Sequence, residues 1–327
     1  MLEHGGRLIA AASEFGIPLD DWLDLSTGIN PSGWPIPPIP PALWTRLPEE
    51  DDGLVAAACR YYGAAHILPV AGSQAAIQTL PTLRAPGRVG VLHPSYAEHA
   101  HAWRRAGHEV VDWTPDSAVD DLDVLVLIHP NNPTGARYST TQLSAWHARL
   151  AARGGWLVVD EAFIDAAPEA SLATCCERQG LIVLRSLGKF FGLPGARVGF
   201  VIAEDNLLRT LREALGPWTV PGPSRWLAQQ ALADGGWQTE AQMRLRMSSE
   251  RLARLLAEYS LEPSGGSALF QWVETPRAAE IYQALARRGI LTRRYETPQS
   301  LRFGLPGSEA EWDRLTDGLS AFRAIAD

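Results

Sequence analysis

The chain of 327 residues contains one lysine, Lys189; the other 28 of its 29 lysine-plus-arginine cations are arginine. Arginine replaces lysine as a surface charge but cannot readily lose a proton and attack a carbonyl. A lone amine is what condensation with an aldehyde requires. Ser186 lies three residues before Lys189 and Arg197 eight after it. A hydroxyl and a guanidinium so placed suit a phosphorylated aldehyde, Arg197 clamping the phosphate with parallel hydrogen bonds and Ser186 donating another. Upstream, Gly72, Ser73 and Gln74 follow a short apolar run, where glycine permits close backbone approach and free N–H groups face a phosphate. Asp160 closes the apolar run WLVVD, so a carboxylate is presented just beyond a buried strand. Asn132 lies in the turn HPNNPTG after another such run, and Tyr96 in PSYAEH adds an aromatic.

These residues need a scaffold, and the patterning supplies one. From residue 67 onward, short apolar runs at 67–70, 88–92, 108–113, 123–128, 156–160, 181–185 and 198–202 alternate with helical segments. The run at 123–128, DVLVLI, is apolar without alternation, as a strand covered on both faces is. The pattern predicts a mostly parallel sheet in an α/β domain over 40–220, with Asn132 and Asp160 at the carboxyl ends of strands, where such sheets bind ligands. A helix is expected at 5–16 and an extended proline-rich crossing at 31–41. Beyond residue 221 the texture becomes α+β, with helices at 225–234, 237–259, 276–288 and 309–325 and strands at 269–273, 291–295 and 300–303. Residues 1–39 and 221–327 are therefore expected to form a second, smaller domain.

Composition narrows the classes. A 46% hydrophobic, 20% charged chain is that of a globular protein. A net charge of −8 argues against nucleic acid or an anionic membrane surface as partner. Cys59, Cys175 and Cys176 cannot all pair, and free thiols point to a reducing, cytoplasmic compartment. No spacing suggests a metal, the amino terminus has no secretory pattern, and no apolar run approaches the roughly 20 residues of a membrane helix.

The order of the pieces resembles the fold-type I pyridoxal-phosphate enzymes, the aspartate-aminotransferase-like superfamily: phosphate turn, aromatic, Asn-Pro-Thr-Gly, strand-end Asp160, Ser-x-x-Lys, Arg197 and the late Arg302 in SLRFG. Within it, the chain is similar to the threonine-phosphate decarboxylase family of cobalamin biosynthesis, itself similar to the histidinol-phosphate aminotransferases. The matching stretches are His4-Gly5-Gly6, DLSTGINP, HPNNPTG, DEAFID, LRSLGKFFGLPGARVGF, GILTR and SLRFG. The resemblance implies pyridoxal 5'-phosphate held by Lys189, with Asp160 keeping the ring nitrogen protonated, Asn132 at the ring oxygen and Tyr96 on the ring face; it also implies a homodimer and substrate contacts at His4, Gly5, Gly28, Asn132, Arg293 and Arg302. It also implies that the orientation of the bound substrate decides whether carbon dioxide or a proton leaves.

Three positions depart from the family pattern. Gly28 stands where relatives carry asparagine, Leu47 where many carry a tyrosine that reaches the neighbouring subunit, and Phe163 where the aminotransferases carry a tyrosine. Two other readings stay open at this level: a histidinol-phosphate-like aminotransferase and a non-catalytic partner in the corrinoid pathway.

Overall fold

The computed structural model describes residues 4–326, with side chains through Phe322. The first eight strands are β1 (Leu23–Asp24), β2 (Ile67–Val70), β3 (Arg88–Leu92), β4 (Glu109–Trp113), β5 (Val124–Ile128), β6 (Trp156–Asp160), β7 (Leu181–Ser186) and β8 (Gly199–Ile202). The last five are β9 (Gly265–Ser267), β10 (Phe270–Glu274), β11 (Ile290–Leu291), β12 (Arg293–Tyr295) and β13 (Ser300–Gly304). Two compact units emerge among the described residues, one of 33–132 and 137–242, the other of 4–32, 133–136 and 243–326. Residues 33–39 and 221–242 thus group with the larger unit, and 133–136, inside the Asn-Pro-Thr-Gly turn, with the smaller.

The larger unit is built on a seven-stranded sheet of order β2-β8-β7-β6-β5-β3-β4. Strands β3 to β7 pair in parallel, while β8 runs antiparallel to both β2 and β7. Every residue of β5 is buried, because alternate side chains meet helices on opposite faces. On one face Val124, Val126, Val158 and Leu184 pack with Ala76, Ile77, Trp103 and Leu211 from helices Ser73–Thr79, Ala97–Arg105 and Asp205–Leu215. Helix Thr140–Ala151 starts where Ser139 Oγ accepts the Gln142 N–H at 3.1 Å, a side-chain cap that satisfies an otherwise orphaned donor.

The smaller unit holds a four-stranded antiparallel sheet of order β12-β13-β10-β9 and a two-strand parallel pair of β1 with β11. Its apolar centre joins Ala11, Trp22, Ala286 and Leu291. The expected strand at 291–295 divides into β11 and β12, and β1 and β9 are strands that the patterning does not announce. Among the described residues no helix is long and apolar enough to cross a membrane.

Candidate active site

Three separate segments of the larger unit meet where a phosphate would sit. Strand β2 ends at Val70, and the chain turns at Gly72 with φ +70° and ψ 158°, a conformation open to glycine and costly for other residues. A Cβ there would lie 2.6 Å from Arg197 Nη2, so the guanidinium lies directly against the turn. The same applies at Gly199, where a Cβ would stand 2.4 Å from the Ser73 backbone nitrogen. Gly199 pairs with Ser186 across β7 and β8, and Ser186 Oγ accepts the Gly188 N–H at 3.2 Å. Gly72, Ser73, Ser186 and Arg197 are thereby gathered by sheet register and by two glycines. Arg197 itself has φ +52°, a left-handed backbone uncommon outside glycine, and its Nη1 donates to the Pro194 carbonyl at 3.2 Å.

The strand ends carry the ring-binding candidates. Asp160 is 3% exposed; its Oδ1 accepts the Ala162 N–H at 3.0 Å and its Oδ2 lies 2.9 Å from His99 Nε2. A carboxyl group that far from water requires such hydrogen-bond partners. His99, itself buried, is a partner of Asp160 that the sequence does not single out; its one signal is its place a turn after Tyr96 on helix Ala97–Arg105. Tyr96 is half-buried, and its hydroxyl donates to Gln74 Oε1 at 3.4 Å. Burial, and then the carboxylates of Glu98 and Asp160, push its pKa up to about 12, against the lowering pull of Arg197. Gln74 in turn donates to Glu98 at 2.8 Å. Asn132 is half-buried, and its buried neighbour Asn131 donates to the Pro94 carbonyl at 2.9 Å, tying the Asn-Pro turn to the loop that presents Tyr96. Lys189 is half-buried, with Nζ 5.6 Å from the centre of the Phe163 ring. Phe163 thus flanks the only amine of its kind with an apolar face and offers no hydroxyl.

This donor set fits pyridoxal phosphate. It combines an amine for the aldehyde, a buried, hydrogen-bonded carboxylate for the ring nitrogen, and a cradle in which Gly72 and Gly199 leave no room for a side chain.

The other sequence candidates lie in the smaller unit and converge on Ser26. A Cβ on Gly5 would be 2.3 Å from the Ser26 carbonyl, and Gly6 N–H donates to Ser26 Oγ at 2.7 Å, fixing His4-Gly5 beside it. Arg302, 5% exposed, donates from Nη2 to the Ser26 carbonyl at 2.6 Å, and Gly28 lies buried two residues further on. Arg293 and Arg302 are direct cross-strand partners in β12 and β13, so both side chains leave the same face of the sheet. A cleft of about 320 Å³ is lined by His4, Gly5, Arg7, Ser26, Arg293 and Arg294, but not by Gly28 or Arg302. Ser26 was not singled out from the sequence; the DLSTG stretch that contains it was.

The chain belongs to the Aminotransferase class I and II family, whose sequence pattern matches residues 51–319. The solved histidinol-phosphate aminotransferase of Sinorhizobium meliloti in complex with pyridoxal-5'-phosphate superposes with a TM-score of 0.83 at 19% identity, covering 100% of this chain and 99% of that one. More specifically, the sequence is 59% identical over 329 residues to the threonine-phosphate decarboxylase of Pseudomonas aeruginosa, covering 100% of this chain and 99% of the relative. It is 39% identical to the protein of the same name from a Sinorhizobium species, over 97% of both chains.

Proposed function

We propose that the protein is a pyridoxal-phosphate-dependent lyase of the cytoplasm that decarboxylates L-threonine O-3-phosphate to (R)-1-amino-2-propanol O-2-phosphate for cobalamin biosynthesis. The observation that carries this reading is the 59% identity across the whole chain to a threonine-phosphate decarboxylase, joined to a site whose donor set fits the cofactor. When bound, pyridoxal phosphate supplies an electron sink for the pair left at the α-carbon as carbon dioxide departs.

The chain's own residues do the rest. Gly72, Ser73, Ser186 and Arg197 bind the cofactor phosphate, and Gln74 supports Tyr96 beside the ring. Asn132 donates to the ring oxygen. Asp160, held in place by His99 and the Ala162 N–H, would face the ring nitrogen and hold a proton there. Lys189 would hold the aldehyde until the substrate's amine displaces it, take up the proton which that ammonium gives up, and donate it to the α-carbon after carbon dioxide leaves, so that one C–C bond breaks and one C–H bond forms. His4, Gly5, Gly28, Arg293 and Arg302 bind the substrate's phosphate and carboxylate. Two like charges directly opposite on a sheet repel, and an anion shared between Arg293 and Arg302 would offset that repulsion. A homodimer belongs to the proposal and is supported by the exposed apolar side chains of Ile36, Trp44, Leu47 and Trp218 on the larger unit.

The test uses cofactor-loaded protein with L-threonine O-3-phosphate, and with unphosphorylated L-threonine beside it. The reading expects a phosphorylated amine and carbon dioxide from the first and at most a trace from the second. Equal turnover of both would sink the assignment of the two arginines to a phosphorylated substrate.

A further inference from the structure

Asp160 and Ser186 are each followed or preceded by a charged residue that points away from the site and into the core. Glu161 comes directly after Asp160, and Arg185 directly before Ser186; with Asp165 they are 0%, 2% and 0% exposed respectively. Arg185 Nη1 donates to Glu161 Oε2 at 2.8 Å and Nη2 to Asp165 Oδ1 at 2.5 Å. Glu161 accepts two further donors, Ser171 Oγ at 2.5 Å and the Leu172 N–H at 2.7 Å. The guanidinium stacks 4.4 Å from the Tyr62 ring. One cation faces two carboxylates here, and an ion cluster sealed from water is weak evidence for stability, since apolar residues of similar volume would often serve as well.

The connections suggest another role. Strands β6 and β7 pair as far as Asp160 and Leu184, and the Glu161 N–H extends the ladder to the Leu184 carbonyl at 2.9 Å. The Arg185–Glu161 bond then ties the same two strand ends together through side chains, where Asp160 and Ser186 leave the sheet. Asp165 carries the link onward. Its Oδ1 accepts the Tyr61 hydroxyl at 3.0 Å, and the Tyr61 ring packs edge-on against Phe191, 5.6 Å between centres, two residues beyond Lys189. Phe163, whose ring flanks Lys189 Nζ, lies between Glu161 and Asp165 in the chain.

We propose that Arg185, Glu161, Asp165 and Tyr61 are positioning residues, a buried cluster that fixes the Asp160 strand end against the lysine loop so that the ring-nitrogen carboxylate and the amine act in register. The inference deepens the decarboxylase reading and rests on it for its activity arm. Both carboxylates and the guanidinium are sealed in the core, so each acts through a neighbour rather than on substrate. Misplacement of a reacting group by about 1 Å costs on the order of 10²-fold in rate, which sets the scale of the effect.

The experiment compares holoenzyme and cofactor-free protein for wild type, Asp165→Asn and Tyr61→Phe. Tyr61→Phe removes one hydroxyl and keeps the ring, so it tests the cluster even if Asp165→Asn does not fold. Three quantities are read: the pH midpoint of the bound cofactor's visible absorbance, the rise in thermal midpoint on cofactor loading, and kcat and KM for L-threonine O-3-phosphate. A positioning role moves the absorbance midpoint, shrinks the cofactor-induced rise, and lowers kcat about 10-fold or more with KM within about 2-fold. A merely structural role lowers both thermal midpoints in parallel and leaves the absorbance midpoint and kcat unchanged, which overturns the proposal. If wild type does not turn over the substrate, the decarboxylase reading fails, while the absorbance and thermal arms still decide the role of the cluster.

Discussion

At the scale of single residues, the account stands on an amine, a carboxylate and two guanidiniums. Lys189→Ala should lower decarboxylation by about 10²–10⁴-fold, the range for loss of a positioned proton donor, and should abolish the visible absorbance of the bound cofactor. Asp160→Asn keeps the shape and the Ala162 contact but removes the charge that faces His99. Turnover should fall by about 10²–10³-fold, comparable to deleting one preorganised electrostatic group; unchanged turnover in a loaded enzyme would remove Asp160 from the mechanism. Much of this was legible in the sequence, because a polar residue just after a buried apolar run is delivered to a strand end. His99 was not, since it reaches Asp160 across 61 residues and no local pattern reports such a pairing. Arg185 was hidden for the opposite reason: an arginine at the end of LIVLRS reads as a surface charge, and only tertiary structure shows it sealed in the core.

Strands, turns and their register carry the next set of consequences. Gly72→Ala would force a Cβ toward Arg197 at a backbone conformation that alanine adopts only at a cost on the order of 1–3 kcal/mol, so cofactor affinity and thermal midpoint should both fall. Arg293→Ala should raise KM for the phosphorylated substrate roughly 10- to 100-fold, the scale of one lost charge-assisted hydrogen bond. An unchanged KM would argue that the pair binds no substrate. That Arg293 and Arg302 face each other could not be read from their spacing, because register depends on the turn between β12 and β13. The two-residue strand β1 and the antiparallel direction of β8 were equally silent: one is too short for periodicity, and strand direction leaves no trace in alternation. The parallel core was legible because strands buried on both faces appear as unbroken apolar runs.

For the molecule as a whole, acid should act through His129, which follows β5 and is fully buried. Burial first, and the Arg137 charge second, push its pKa down from the ordinary 6.5 to about 4. Between those values the unfolded chain binds the proton and the folded chain does not. The stability contributed by the neutral ring is therefore complete above pH 6.5 and is lost as pH falls toward 4, on the order of 3 kcal/mol in total. The drop in thermal midpoint from pH 7.5 to 5 should be smaller in His129→Asn than in wild type; equal drops would show that another group governs acid sensitivity. The central claim concerns which bond of the substrate breaks, and the scaffold is shared with aminotransferases. The most direct measurement places cofactor-loaded protein with L-threonine O-3-phosphate in one tube and with histidinol phosphate and 2-oxoglutarate in another, following carbon dioxide and glutamate in both. Carbon dioxide is expected in the first tube and no glutamate in the second. Glutamate in the second tube without carbon dioxide in the first would contradict that claim.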